Sequence, residues 1–179
     1  MHRLWRVPGL LPCTGRADRI QNVTQEADSL TRITLRPAVA EDFDYCANLY
    51  FAGIEWMFEE LKLGRVAQVA GFRLRWEATQ VQIIQLNAAD VGWLQSMVED
   101  DTLFLAQIFV DPAFQRRGIG TEVMKGLIAG AAQARRAVTL GVVKTNPAMR
   151  LYRRLGFRIT HDDDRKFYMK REAGAVSFV

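Results

Sequence analysis

The sequence has little of what would set it in a specialised class. Its two cysteines, Cys13 and Cys46, lie far apart and match no metal-ligand spacing, so neither a disulfide framework nor a zinc or other metal site is expected. Five prolines and 13 glycines in 179 residues, with 49% of the chain hydrophobic, exclude collagenous, low-complexity and wholly disordered chains. Apolar runs stop at strand length, as in LFLAQIFV, far below the ~18 residues a membrane-spanning helix needs. A soluble, cytoplasmic protein without a membrane partner is expected. The mass of 20.4 kDa suits one domain that buries roughly two thirds of its unfolded surface.

Positive charge is scarce in the first part of the chain. Residues 1–111 carry 10 Lys and Arg against 15 Asp and Glu, whereas residues 112–179 carry 14 against 5, within a net charge of +4. A polyanionic ligand held by the C-terminal part and a cationic one by the N-terminal part would fit that field, although surface charge can fall this way without function.

The first thirty residues show no helical or strand period and are interrupted by Pro8, Gly9, Pro12 and Gly15, so they read as an extension before a domain at 31–179. Val7 to Cys13 is too short and proline-broken for a secretory core, and a transit peptide is a weak reading, since the segment is rich in Arg yet poor in Ser. A translation start upstream of the true domain is an equal reading. Next, ITLRPA suggests a strand. AEDFD opens a helix with acidic residues where the macrodipole favours them. Along that helix Phe43, Cys46, Tyr50, Ile54 and Leu61 recur at helical spacing, which makes Cys46 a small core residue. A second helix is expected over Val66 to Ala78. VQIIQL, VGWLQSMV and TLFLAQIFV then read as an antiparallel meander with turns at Asn87 to Asp90 and Glu99 to Asp101.

After Asp111 and Pro112 a basic, glycine-containing loop leads into a helix whose apolar face is Val123, Met124, Leu127, Ile128, Ala131 and Ala132. AVTLGVV follows as a strand expected to be covered on both faces, giving a parallel strand–helix–strand crossover. A short helix from Pro147 to Leu155 ends at Gly156. A hairpin of FRITH and RKFYMKR, turning at Asp162 to Asp164, closes the chain. The expected fold class is α/β (α+β): a mixed, mostly antiparallel sheet flanked by helices with a central parallel β-α-β crossover.

Chemistry concentrates in QRRGIGT, Gln115 to Thr121. A loop that joins a strand to a helix N-terminus points unpaired N–H groups and the positive end of the dipole at one spot, an anion site. Gly118 and Gly120 remove Cβ atoms that would hold a phosphate away, and Arg116 and Arg117 add positive charge. A plain turn is the blander reading of a lone GxG. No Walker lysine follows Gly120, and Val123 stands where a dinucleotide fingerprint needs its third glycine.

A second segment, NPAMRLYRRLGF, lies one strand further on. "IFVDPAFQRRGIG" followed by "NPAMRLYRRLGF" resembles the acetyl-CoA motif and the motif after it in the GNAT N-acetyltransferase superfamily, and the resemblance extends from about Ile33 to Lys170. It implies a GNAT-like sheet and acetyl-CoA as cosubstrate. Main-chain groups of Ile108, Phe109 and Val110 would meet the pantetheine arm. The loop Gln115, Arg116, Arg117, Gly118, Ile119, Gly120 and Thr121 would hold the pyrophosphate. Asn146 would bind the pantetheine region, Tyr152 would stand near the thioester sulfur as general acid, and Arg153 or Arg154 would reach the nucleotide end.

Elementary chemistry fits these roles. The Val110 N–H is a candidate donor to the tetrahedral oxyanion. A tyrosine can give a proton to the departing thiolate without itself carrying charge. Core packing remains open for Tyr152, and helix capping for Asn146. The base is missing: some family members carry a glutamate on the strand before the loop, and this strand has Gln107. Glu55, Glu59, Glu60, Glu77 or a water chain are the candidates, each carboxylate also readable as solvated surface charge. Trp56, Trp76 and Trp93 could line an acceptor pocket but read better as core. His161, beside an Asp triplet, reads as part of a hairpin turn.

The activity implied is acetyl transfer from acetyl-CoA to a primary amine by direct attack in a ternary complex, the acceptor being a small-molecule amine or a lysine or N-terminal amine. A non-catalytic acyl-CoA sensor or regulatory module is the alternative. Nucleic acid is not an expected partner, since the arginines of the C-terminal part come with no recognisable reading motif. A homodimer is compatible with the sequence.

Overall fold

The computed structural model describes residues 32–60 and 65–174, with the main chain alone at 56–60 and 65; the thirty-residue extension lies outside the described residues. The compact unit that holds them begins at Ile33. Strand β1 (Ile33–Pro37) leads through a 3-10 turn (Ala40–Asp42) to helix α1 (Phe43–Glu60), helix α2 (Arg65–Arg75) and a second 3-10 turn (Ala78–Gln80). Strands β2 (Val81–Leu86), β3 (Ala89–Glu99) and β4 (Thr102–Val110) form the expected meander. Helix α3 (Ile119–Gln133), strand β5 (Ala137–Val143), helix α4 (Met149–Arg154) and strands β6 (Arg158–Asp162) and β7 (Lys166–Arg171) complete it. The sheet order is β1-β2-β3-β4-β5-β7-β6, and every neighbouring pair is antiparallel except β4 with β5.

Period-two alternation divides the core between the two faces of this sheet. Ile84, Leu94, Leu105 and Leu140 are buried beneath Ile119, Val123, Met124 and Ile128 of α3. Ile83 and Trp93 point the other way and pack on Cys46, Tyr50 and Ile54 of α1 and Phe72 of α2, a stripe at helical spacing. Cys46 is fully buried, and that burial pushes its thiol up to about 11, which keeps it unreactive near neutrality. Arg36 ties β1 to the 3-10 turn before α1 and to the start of β3, reaching Asp42 at 2.8 Å and Asp90 at 2.6 Å.

Four details differ from the sequence expectations. Helix α2 stops at Arg75 and not at Ala78, because the buried Gln95 side chain takes the Arg75 carbonyl (2.8 Å) and Trp76 turns its indole edge-on to Phe43. Only Asn87 and Ala88 form the β2–β3 turn, both at positive φ, so Asp90 belongs to β3. Helix α4 begins at Met149, two residues after Pro147, since the Asn146 side chain accepts from the Ala148 N–H (2.9 Å) and organises a turn first. In β5 only Val138, Leu140 and Val142 are buried; the alternate residues are half-buried, because that face opens on a cleft.

The feature that shapes the cleft lies in β4. Gln95 pairs with Gln107 but the next residue, Ser96, pairs with Leu105, so Ala106 is an extra residue in β4, a β-bulge. The parallel pairing of β4 with β5 covers only Thr102–Leu105 and ends at that bulge. Beyond it the two strands part, and the Phe109 side chain faces α1, stacked on Trp93 (5.3 Å) and edge-on to Tyr50 (5.5 Å). A Cβ on Gly53 would lie 2.7 Å from two carbons of that ring. Gly53→Val is therefore expected to destabilise the fold by about 1–3 kcal/mol through overpacking. A lowered urea midpoint at unchanged slope would show this, and an unchanged midpoint would contradict the close approach.

Candidate active site

Parting of β4 from β5 leaves main-chain groups without a strand partner. The Asp111 N–H donates to the Val91 carbonyl at 2.9 Å. By alternation along an antiparallel pair, Phe109 and Gln107 also turn their main-chain groups toward β3, while Ile108 and Val110 turn theirs to the open edge. The Val110 carbonyl accepts from the Gln115 side chain at 2.8 Å. Of the three strand residues proposed for the pantetheine arm, Phe109 is thus oriented the wrong way by its main chain, and Ile108 and Val110 the right way. A cleft of about 530 Å³ opens here, walled by Phe104 to Phe109, by Leu140 to Val143, and by Tyr50, Gly53 and Ile54 of α1.

At the far end of β4 the QRRGIGT loop turns into α3. Gly118 is the N-cap at φ 82°, a left-handed conformation that costs glycine little, and Arg116 adopts φ 59°. The first bond of the helix is Glu122 N–H to Gly118 carbonyl (3.1 Å), so the amides of Ile119, Gly120 and Thr121 precede any intrahelical partner. A Cβ on Gly118 or Gly120 would meet nothing within 4 Å, so the space beside these two glycines is open. Arg116 and Arg117 are exposed beside them, the latter's guanidinium over the Phe114 ring at 5.3 Å.

Asn146 and Tyr152 both line the cleft. Asn146 commits its side-chain oxygen to the Ala148 N–H, so capping and cleft lining coexist in one residue. Tyr152 is 7% exposed, its ring edge-on to Phe157 (5.9 Å), and burial pushes its phenol up to about 12. The phenol therefore stays protonated and neutral near neutrality. Arg153 and Arg154 are exposed on α4 and do not wall the cleft.

None of the described carboxylates lines the cleft. Glu55 is exposed and turned away, and Glu77 is spent on the 3-10 turn, accepting from the Thr79 N–H and hydroxyl. The side chains of Glu59, Glu60 and Trp56 lie outside the described residues. Trp93 is core and Trp76 packs behind α1; neither walls the cleft. His161 sits within β6, not in the turn, and stacks on Tyr168 at 4.4 Å. What sequence reasoning missed is Arg75 and the adjacent pair Arg165 and Lys166, three cations from two segments that line the cleft. Among the described residues no group of three or more His, Cys, Asp or Glu could hold a metal, and no helix is long and apolar enough to cross a membrane.

The sheet thus parts at a bulge, and the β4 strand runs on into the N-terminus of α3. Residues 77–159 match the family model described as the acetyltransferase (GNAT) domain. The chain is 28% identical, over 157 residues covering 78% of it and 67% of the relative, to the uncharacterized N-acetyltransferase MJ1207 of Methanocaldococcus jannaschii. Its fold is shared with the paia N-acetyltransferase of Thermoplasma acidophilum, solved in complex with coenzyme A (TM-score 0.66, 13% identity, 79% of this chain and 99% of that one). It is shared also with yncA of Salmonella typhimurium, solved with its cofactor acetyl-CoA (TM-score 0.53, 19% identity, 81% and 96%). The chain thus carries, over residues 77–159, a match to the acetyltransferase (GNAT) domain, and its fold is that of solved N-acetyltransferases.

The environment of Tyr152 has a measurable signature. Its pKa rises from the ordinary 10.0 to about 12 in the fold, so its contribution to stability is intact below pH 10 and is lost as pH rises from there toward 12. In a titration followed by phenolate absorbance, the difference between the parent and Tyr152→Phe should have its midpoint near 12. A difference centred near 10 would place the ring in solvent.

Proposed function

We propose that the protein transfers the acetyl group of acetyl-CoA to a primary amine by direct attack in a ternary complex. The observation that carries this reading is that the free edge of β4, the Asn146 amide and the Tyr152 phenol face one cleft. Acetyl-CoA supplies the thioester; the residues of the chain bind it, orient it and move a proton. The amides of Gly118 to Thr121, with Arg116 and Arg117, suit a pyrophosphate. Gln115 acts indirectly, holding the loop to β4 through the Val110 carbonyl. Ile108 and Asn146 suit the amide-bearing pantetheine arm, and exposed Arg154 the nucleotide end.

Val110 is the oxyanion donor of this reading. Its N–H belongs to the open edge of β4, and a fixed backbone donor costs no reorganisation when charge develops on the carbonyl oxygen. As the amine nitrogen bonds to the carbonyl carbon and the carbon–sulfur bond breaks, the Tyr152 hydroxyl gives its proton to the sulfur. The proton released by the amine passes to water in the open cleft, since the described wall offers no carboxylate.

Two variants separate binding from chemistry. Tyr152→Phe should lower turnover by about a hundredfold while calorimetry finds acetyl-CoA affinity nearly unchanged. Gly118→Glu should abolish acetyl-CoA binding without lowering the melting temperature by more than a few degrees. An unchanged rate in the first, or normal affinity in the second, would remove that residue's role.

A further inference from the structure

Resting on the acetyl-transfer reading, the cations of the cleft narrow the class of acceptor. We propose that the acceptor is a small primary amine that also carries a carboxylate or phosphate, held by Arg75, Arg165 and Lys166.

The cations come from two distant parts of the chain: Arg75 ends α2, while the adjacent Arg165 and Lys166 close the β6–β7 turn and open β7, Lys166 lying opposite Val143. They line the same cleft as Tyr152, on a wall to which no described residue adds a negative charge. Arg75 shares one face of α2 with Gln68, another lining residue, and folds back over Gly71, where a Cβ would come within 3.0 Å of its guanidinium. Glycine there lets the arginine lie along the helix.

Of the three neighbouring carboxylates, Asp162 and Asp163 have partners within the fold and Asp164 stands exposed in the turn. Asp162 pairs with Lys144 at 2.6 Å. Asp163 accepts the backbone amides of Arg165 (2.8 Å) and Lys166 (2.6 Å) and the Tyr168 hydroxyl (2.9 Å), so it shapes the turn that presents the two cations and pairs with neither side chain. Among the described residues none of the three cations has an ion-pair partner, whereas Arg36 and Lys144 do.

Unpaired cations of one sign in a concave wall focus a positive field. A polyamine or aminoglycoside would meet repulsion there. An amine with an anionic group would be drawn in and oriented, and the same field favours the neutral, attacking form of its nitrogen over the ammonium.

The test uses the full chain with saturating acetyl-CoA in a thiol-release assay. L-glutamate, β-alanine and O-phosphoethanolamine are compared with glutamine amide, β-alaninamide, ethanolamine and spermidine. At least one anionic member should exceed its uncharged counterpart by about tenfold in kcat/KM. Carboxylate and phosphate are distinguished by which pair shows the gain. The double variant Arg165→Gln/Lys166→Gln should raise KM for that acceptor by about tenfold and leave KM for acetyl-CoA unchanged.

Independently of turnover, the amide resonances of Arg165 and Lys166 in the CoA-bound protein should shift saturably with glutarate or propylphosphonate and not with putrescine. Preference for the cationic or neutral amines, or an absence of saturable shifts with both anions, would overturn the proposal. Failure to bind acetyl-CoA in calorimetry would instead contradict the acetyl-transfer reading beneath it.

Discussion

One extra residue in β4 makes the site. As far as Leu105, β4 is locked on both edges, antiparallel to β3 and parallel to β5. The bulge at Ala106 keeps the bond to β3 and gives up the bond to β5, so a strand in the middle of the sheet acquires a free edge. Such an edge is a liability unless something covers it. Here it is one wall of a cleft that Asn146 and Tyr152 also line. The bulge also reverses which face each later residue of β4 addresses, so Phe109 joins the aromatic cluster of α1 and α2 while Ile108 and Val110 stay with the α3 core.

The cleft thus joins two electrostatic environments. The loop end offers helix amides and two arginines to phosphate. The cleft itself is cationic, and none of the described carboxylates of residues 1–111 lines it: Asp42 and Asp90 pair with Arg36, and Glu77 caps the turn at Thr79. Gross charge along a sequence and charge around a cavity are different quantities, because the latter depends on which side chains the fold brings together.

Much of this was legible in the sequence. Strands and helices followed from period, the glycine loop at the start of α3 from local chain order, and Asn146 and Tyr152 were singled out through the family resemblance; the fold places both on the cleft. Three things were not legible. TLFLAQIFV reads as one uninterrupted strand, and only its pairing with β3 reveals Ala106 as surplus. Helix α2 ends where Gln95, twenty residues on, captures a carbonyl. The cluster of Arg75, Arg165 and Lys166 is assembled from segments about ninety residues apart, and no periodicity reports such an encounter.

The account stands or falls on the free edge of β4, and amide hydrogen exchange reads it directly. In the protein alone, the Ile108 and Val110 amides should exchange quickly while those of Gln107 and Phe109, bonded to β3, exchange slowly. Saturating acetyl-CoA should slow Ile108 and Val110 by about tenfold or more and leave the other two little changed. Four equally protected amides in the free protein, or no response of Ile108 and Val110 to acetyl-CoA, would contradict it.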